Sequence, residues 1–256
     1  MHGTFKLHVF HKNNELAGYS SVLHALGLVG LTGQYGRQLR AAVISFGATA
    51  RGAVTALAAL GIFDVTVLSQ REPAQVASPV HSATMVQFQR QPNGSGKLDV
   101  MSDGRPRPVA DVLAEHDIVV NCVLQDTDAP YMFVYEHELD LFDPGSLIID
   151  VSCDEGMGFE WARPTSFSDP MFTVGDDINY YAVDHSPSHL WNSATWEVSN
   201  ALLPYLPTVM AGPEGWDRDA TIKRAIEIRD GVIQNPKIIS FQNRSDEYPH
   251  EKIDAR

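Results

Sequence analysis

The sequence predicts an α/β fold: a doubly wound, mostly parallel sheet, followed by the helical portion of a second domain. Three observations predict it. Short apolar runs rich in β-branched residues, AAVISF (41–46), DVTVLS (64–69), IVVNCVL (118–124) and SLIIDVSC (146–153), suit strands buried on both faces. Helical patterns alternate with them. The first strand, a turn of small residues, a helix and the next strand all fit within residues 41–69, the size of one βαβ crossover.

The elements follow in order. Asn13 and Asn14 can cap a helix over 15–28, where Leu16, Tyr19, Leu23 and Leu26 recur at helical spacing. Gly33 and Gly36 break the chain before the first strand. A helix is expected over 51–60, a further strand over 86–88, and a surface turn or hairpin tip in QPNGSGK (91–97). A short helix starts at 109–113, and another lies near 137–141 before the Pro144-Gly145 turn. Residues 155–184 read as loop-rich. Two helices then follow, 193–203 stopped by Pro204 and 220–230 ended by Gly231, with a frayed charged tail from Arg244. These readings divide the chain into a linking helix segment (1–36), a dinucleotide-type domain (37–185), a C-terminal helical part (186–243) and the tail (244–256).

Composition sets limits on function. The chain has 256 residues, 44% hydrophobic, with a formal charge of −13 and a pI near 5.1. It can bury a full core, and its acidity argues against nucleic acid or an anionic membrane as partner. The two cysteines, Cys122 and Cys153, are too few for a disulfide scaffold and lack zinc-ligand spacing, so buried free thiols and no metal are expected. The polar opening MHGTFKLHVFHKNNE is no signal peptide, and the apolar stretch 22–31 contains His24 and is too short for a bilayer, so a cytoplasmic protein is expected.

The first strand ends in VISFGATARGAV. Set against G-x-G-x-x-G, it places Ser45, Gly47 and Ala50 at the glycine positions. The middle glycine lets backbone approach a pyrophosphate, Ala50 still permits close helix packing, and Ser45 must turn without glycine. The backbone of Gly47, Ala48, Thr49 and Ala50 would offer N–H groups and a positive dipole end to phosphate. Such turns also occur in α/β proteins that bind no nucleotide; the surrounding βαβ unit is what makes this a Rossmann-type reading. Roughly twenty residues past the glycine, NAD enzymes place an acid on the ribose 2′-hydroxyl. Here the strand ends in Ser69, Gln70 and Arg71. A carboxylate would repel a 2′-phosphate, whereas Arg71 can pair with it, so NADP is favoured and NAD stays possible. The alternative is a merely solvated Arg71.

Four ordered strings carry a resemblance: NELAGY (14–19), FGATARGA (46–53), IIDVSCDEGMGFEWARPTSFSDP (148–170) and YAVDHSPSHLWNSATWEVSNALLPYL (181–206). Together they resemble the alanine dehydrogenase and pyridine nucleotide transhydrogenase-like family, which includes opine-forming members of the N5-(carboxyethyl)ornithine synthase type. The resemblance implies roles. Asn14 matches a polar cofactor contact. Val123 and Leu124 match the loop covering the path from adenosine to nicotinamide, and Val151 and Asp154 match residues at the nicotinamide. Asp154 would be the acid that handles a proton at the substrate nitrogen or carbonyl, or else a turn residue. His185 and Ser186 stand where alanine dehydrogenases usually have Asn-Met, which favours a substrate other than plain alanine and the opine-type branch. His185 could act as acid or base or bind a carboxylate, and a structural role is the alternative. His189, Trp191, Asn192 and Arg163 are weaker candidates.

The resemblance also implies a separate N-terminal substrate domain with an arginine, a lysine and a histidine for which this sequence shows no counterpart. Three expectations follow. One is an NADP-dependent oxidoreductase transferring hydride to an imine formed from a 2-oxo acid such as pyruvate. Its partner would be a small amino acid or 2-oxo acid, and by family analogy it would be a homo-oligomer. The second is a non-catalytic dinucleotide-binding module. The third is an interaction protein that has lost the nucleotide.

Overall fold

The computed structural model describes residues 8–71, 83–91, 96–102 and 105–253. The described residues fall into two compact units, one within Met1–Gln125 and Pro130–Glu197, the other within Asp126–Ala129 and Val198–Arg256.

The first unit opens with α1, His11–Leu28. It begins before the two asparagines expected to cap it, and no side chain caps it. α1 crosses α2, Ala48–Ala59, at two glycines. A Cβ at Gly18 would lie 1.9 Å from the Thr49 carbonyl oxygen, and one at Gly52 would lie 1.7 Å from that of Glu15. The two backbones therefore touch, which no residue larger than glycine permits.

The main sheet has nine strands among the described residues. They are β1 (Arg40–Ile44), β2 (Asp64–Ser69), β3 (Ala83–Arg90), β4 (Leu98–Ser102), β5 (Arg105–Pro108), β6 (Ile118–Asn121), β8 (Leu147–Asp150), β10 (Met171–Val174) and β11 (Ile178–Tyr181). Two short strands, β7 (Met132–Val134) and β9 (Gly158–Phe159), pair with each other outside it. The sheet order is β10-β11-β8-β6-β1-β2-β3-β4-β5. Its parallel centre, β3-β2-β1-β6-β8-β11, is the Rossmann order, in which the winding reverses between β1 and β6. The central strands are buried along nearly their whole length, as continuous apolar runs require. A core cluster lies on each face, one under α1 and α2, the other under α3 (Val109–Ala114) and the Phe88–Phe133–Phe159 aromatic group.

Several elements differ from expectation. The strands expected over 118–124 and 146–153 stop at Asn121 and Asp150, because the residues beyond turn into loops held by side chains. The expected hairpin tip near residue 91 does join antiparallel β3 and β4, with Gln91 donating to the Lys97 carbonyl at 2.8 Å; residues 92–95 lie outside the description. β5 reads RPRP; its two prolines hid it, and they are tolerated because it is an edge strand. The loop-rich 155–184 contains β9 and the antiparallel β10–β11 pair, strands too short to show a period.

In the second unit, α4 (Trp191–Leu202), which starts in the first, leads to α5 (Leu206–Met210), α6 (Pro213–Arg218) and α7 (Ala220–Ala225). Gly231 ends no helix. It forms a two-residue hairpin with Asp230, both at positive φ, between β12 (Ile228–Arg229) and β13 (Val232–Ile233). Asp-Gly is the pair that such a turn selects. α8 (Pro236–Phe241) follows, and the tail expected to fray closes on itself through the Arg244–Lys252 bridge.

The glycine crossing gives a direct test. Gly18→Ala or Gly52→Ala should lower unfolding free energy by about 1–3 kcal/mol or more, read by urea denaturation. Gly27→Ala, whose Cβ meets nothing within 4 Å, should be neutral or stabilising by about 0.5–1 kcal/mol. Equal effects at all three sites would refute the close crossing.

Candidate dinucleotide site

The carboxyl ends of β1, β2 and β6 enclose a cleft of about 210 Å³. Ser45 and Phe46 line it after β1, Ser69, Gln70 and Arg71 after β2, and Val123 and Leu124 after β6, with Phe88 at its side. The cleft thus stands at the switch between β1 and β6, where open α/β sheets bind ligands. Six residues singled out from sequence meet there: Ser45, Ser69, Gln70, Arg71, Val123 and Leu124.

Ser45 makes the turn at φ +87°, a left-handed conformation that costs a serine what glycine would be spared. Its N–H donates to the Leu68 carbonyl at 2.7 Å. Gly47 stands at the N-terminus of α2, and a Cβ there would meet nothing within 4 Å, so the backbone faces open space. The first helical bond runs from the Arg51 N–H to the Gly47 carbonyl at 3.1 Å. Ala48, Thr49 and Ala50 therefore point their N–H groups out of the helix end without an intrahelical acceptor. This cradle fits a pyrophosphate. The Arg51 guanidinium lies over the Phe46 ring at 4.3 Å from its centre.

At the end of β2, the buried Ser69 hydroxyl accepts the Arg71 N–H at 3.1 Å, and the Gln70 carbonyl accepts from Gln87 Nε2 at 2.9 Å. The backbone of this strand end is thereby fixed, while the Arg71 side chain stays exposed at the cleft. Leu124, 96% exposed, forms an apolar lip on the opposite side.

Asn121 and Asp150 went unrecognised in the sequence, and they organise the other end of the site. They are register partners at the ends of β6 and β8. Asp150 is fully buried and has no basic partner among its hydrogen-bonding groups. Its carboxylate accepts four bonds: from Asn121 Nδ2 (2.9 Å), the Tyr180 hydroxyl (2.7 Å), and the N–H groups of Ser152 (3.1 Å) and Cys153 (3.2 Å). Asn121 Oδ1 in turn accepts the Val123 N–H at 3.2 Å, and the Ser152 hydroxyl donates to the Val123 carbonyl at 2.5 Å. The loop is closed: Asp150 holds Ser152, Ser152 holds Val123, and Val123 holds Asn121. Val151 joins it by donating to the Asn121 carbonyl at 2.9 Å. The signal in the sequence was a polar residue ending each of two wholly apolar strands, IVVN and LIID.

The remaining predicted residues sit around this centre. Asp154 follows the loop after β8, half-buried, and burial raises its carboxyl above the ordinary range. Cys153, at φ +45°, has its thiol pushed up to about 12, chiefly by burial and then by Asp150; it is half-buried rather than buried, while Cys122 is buried and also raised. Asn14 lies half-buried in α1 and is not among the residues lining the cleft. His185 is left-handed at φ +56° and exposed, with its Nε2 3.3 Å from Asp184 Oδ2. Ser186 is buried and donates to the Ala17 carbonyl of α1 at 3.2 Å. His189 stacks on His24 at 4.6 Å between ring centres, and His24 Nδ1 lies 3.1 Å from the Tyr181 hydroxyl. No group of three or more metal-ligating side chains occurs among the described residues.

Asp150 sets a pH dependence. Burial raises it to about 6, against which its four donors pull only partly. The folded state then holds the proton more tightly than the unfolded chain. Stability from this group is greatest below about pH 4 and falls as pH rises to about 6, by on the order of 2–3 kcal/mol in all. Asp150→Asn keeps an oxygen for Asn121, Ser152 and Cys153 and offers its amide to the Tyr180 oxygen. Urea unfolding between pH 4 and 7 should show this fall in the parent chain and not in the variant. Parallel profiles would remove Asp150 as its source.

Comparison with known proteins agrees with this architecture. A family model described as "Alanine dehydrogenase/PNT, C-terminal domain" matches residues 24–236. The alanine dehydrogenase of Halomonas elongata is 29% identical over 147 residues, 53% of this chain and 39% of that protein. The N(5)-(carboxyethyl)ornithine synthase of Clostridium botulinum is 26% identical over 190 residues, 74% of this chain and 48% of that protein. The chain thus spans half or less of these relatives' length. Among solved structures, an L-alanine dehydrogenase superposes with a TM-score of 0.66 at 19% identity, covering 91% of this chain and 63% of that one. A transhydrogenase from Sinorhizobium meliloti gives 0.58 at 22% identity, covering 79% and 57%. With the family match running from within α1 to the start of α8, the chain belongs to the alanine dehydrogenase/PNT family, through that family's C-terminal domain.

Proposed function

We propose that the chain is the dinucleotide-binding part of an oxidoreductase that works with NADP in preference to NAD, transferring hydride to an imine of a 2-oxo acid. The observation that carries the cofactor preference is the end of β2. The position where a carboxylate would hold a 2′-hydroxyl offers Ser69, Gln70 and Arg71 instead, fixed in backbone and open to the cleft. The family supplies the reaction class, and its named members here are an alanine dehydrogenase and an ornithine-derived opine synthase.

In this reading the N-terminus of α2 takes the pyrophosphate, Phe46 and Leu124 flank the adenosine, and Arg71 pairs with the 2′-phosphate. A reduced nicotinamide, when bound, supplies the hydride. Val151 would lie against it. Asp154, raised by burial, keeps a proton closer to neutral pH than an ordinary aspartate and would hand it to the substrate nitrogen or oxygen. His185, already oriented by Asp184, would assist as acid, base or carboxylate contact. Asn14 and Ser186 would support the cofactor from α1 and from the loop after β11. A homo-oligomer in the cytoplasm fits the same reading.

Fluorescence titration tests it. NADPH should bind at least about tenfold more tightly than NADH, Arg71→Ala should remove most of that difference, and added salt should shrink it because Arg71 is exposed. Equal affinities, or an unchanged preference in Arg71→Ala, would sink the NADP assignment. NADPH oxidation with pyruvate and an amine distinguishes an enzyme from a binding module: NADPH binding without turnover favours the module.

A further inference from the structure

The loop between β6 and β7 leaves the dinucleotide cleft at Leu124, which lines the cleft and is 96% exposed. With so little packing around it, its position is set by the backbone on either side. Before it, Val123 is held by Asn121 and Ser152. After it, the buried side chain of Gln125 spans the neck of the loop. Its Nε2 donates to the Tyr131 carbonyl at 3.3 Å, and its Oε1 accepts the Tyr131 N–H at 2.9 Å. The returning limb is fixed as well. The Arg90 guanidinium donates to the Pro130 carbonyl at 3.2 Å and lies 4.5 Å from the centre of the Tyr131 ring, which meets Phe88 edge-on at 5.8 Å. The neck is pinched, and the turn Asp126–Ala129 forms the tip beyond it.

That tip belongs by its contacts to the second unit, where α8 grips it. The Lys237 ammonium donates to Asp126 Oδ1 at 2.7 Å and to Asp128 Oδ2, and the Ser240 hydroxyl donates to Asp128 Oδ1 at 2.7 Å. Residues 237 and 240 are one helical turn apart and so share a side of α8. Asn235 caps that helix by accepting the Lys237 N–H at 3.0 Å. The turn also closes on itself: the Asp126 carboxylate accepts the Asp128 N–H at 3.2 Å, and its carbonyl accepts the Ala129 N–H at 3.0 Å. Two carboxylates two residues apart repel, and an ammonium shared between them removes that repulsion. Lys237 holds both carboxyls below their ordinary range, and they raise its own ammonium. A lone exposed ion pair would do little. This one holds the residue next to buried Gln125, two residues from Leu124.

We propose that Lys237 and Ser240 are positioning residues for the dinucleotide cleft: through the Asp126–Ala129 turn they fix where Leu124 stands as its lip. The bearing on a cofactor rests on the dinucleotide reading above, whereas the order imposed on the loop does not. A lip already ordered costs a ligand less on binding than one that must be ordered by it. The C-terminal segment thereby tunes the affinity of a cleft that no residue beyond Leu124 lines.

NADPH titration of variants of the full chain tests the assignment. Lys237→Gln should weaken NADPH by about threefold to fivefold, and Lys237→Arg should restore it. Ser240→Ala, which changes no charge, should weaken it by about twofold. Lys223→Gln, in α7, removes the same charge away from the loop and should leave affinity unchanged. Lys237→Gln combined with Asp128→Asn should bind better than Lys237→Gln alone, because the repulsion within the turn is gone. All four positions are exposed, so the variants are expected to fold. An unchanged affinity in Lys237→Gln, or an equal loss in Lys223→Gln, would overturn the proposal. Hydrogen exchange of residues 122–131 in the ligand-free chain keeps the two readings apart. Faster exchange in Lys237→Gln, in a parent chain that binds no NADPH, upholds the grip on the lip and defeats the dinucleotide reading. Unchanged exchange in Lys237→Gln defeats the grip whatever NADPH does.

Discussion

Everything at the carboxyl edge of the sheet depends on one buried carboxylate. Asp150 enters the core without a cation to neutralise it, and a buried charge is tolerated only when its lone pairs are filled. Four donors fill them, drawn from β6, β11 and the loop after β8. The requirement to satisfy Asp150 thereby dictates where Asn121, Tyr180, Ser152 and Cys153 stand. Through Ser152 and Asn121 it dictates where Val123 stands as well. The loops after β6 and β8, the first of which lines the cleft, are thus set by one buried group. Such a network is cooperative, because loss of one member leaves others buried and unpaired.

On the opposite side of β1, the same kind of positioning is done by absence of side chain. The α1–α2 crossing needs glycine at two facing places, and it brings the start of α2 against α1. Polar satisfaction fixes the loops after β6 and β8, and a steric minimum fixes the seat of α2 on α1.

The fold was legible because its strands are continuous apolar runs and its switch strand is followed by a turn of small residues. The cleft was legible for the same reason: Ser45, Ser69, Arg71 and Val123 sit at strand ends, and strand ends in a parallel sheet converge on one edge. The Asn121–Asp150 pair was not, because the two residues are far apart in the chain and become neighbours only once β6 and β8 are in register. Gly18 and Gly52 were hidden likewise, since a glycine within a helical pattern does not announce what crosses it. The Asp230-Gly231 dipeptide is a turn signal, but a helical pattern runs up to it and the strands it joins are only two residues each, too short to show a period.

The serine at φ +87° has a consequence for how this protein can change. A left-handed serine stores about 1–2 kcal/mol in the native state, and the unfolded chain carries none of it. Glycine at position 45 would release that strain while loosening the unfolded chain and removing a hydroxyl from the cleft wall. The strain in the native state and the freedom of the unfolded chain are therefore set against each other through one side chain, and the sign of the net effect on stability at this residue is decided by which is larger.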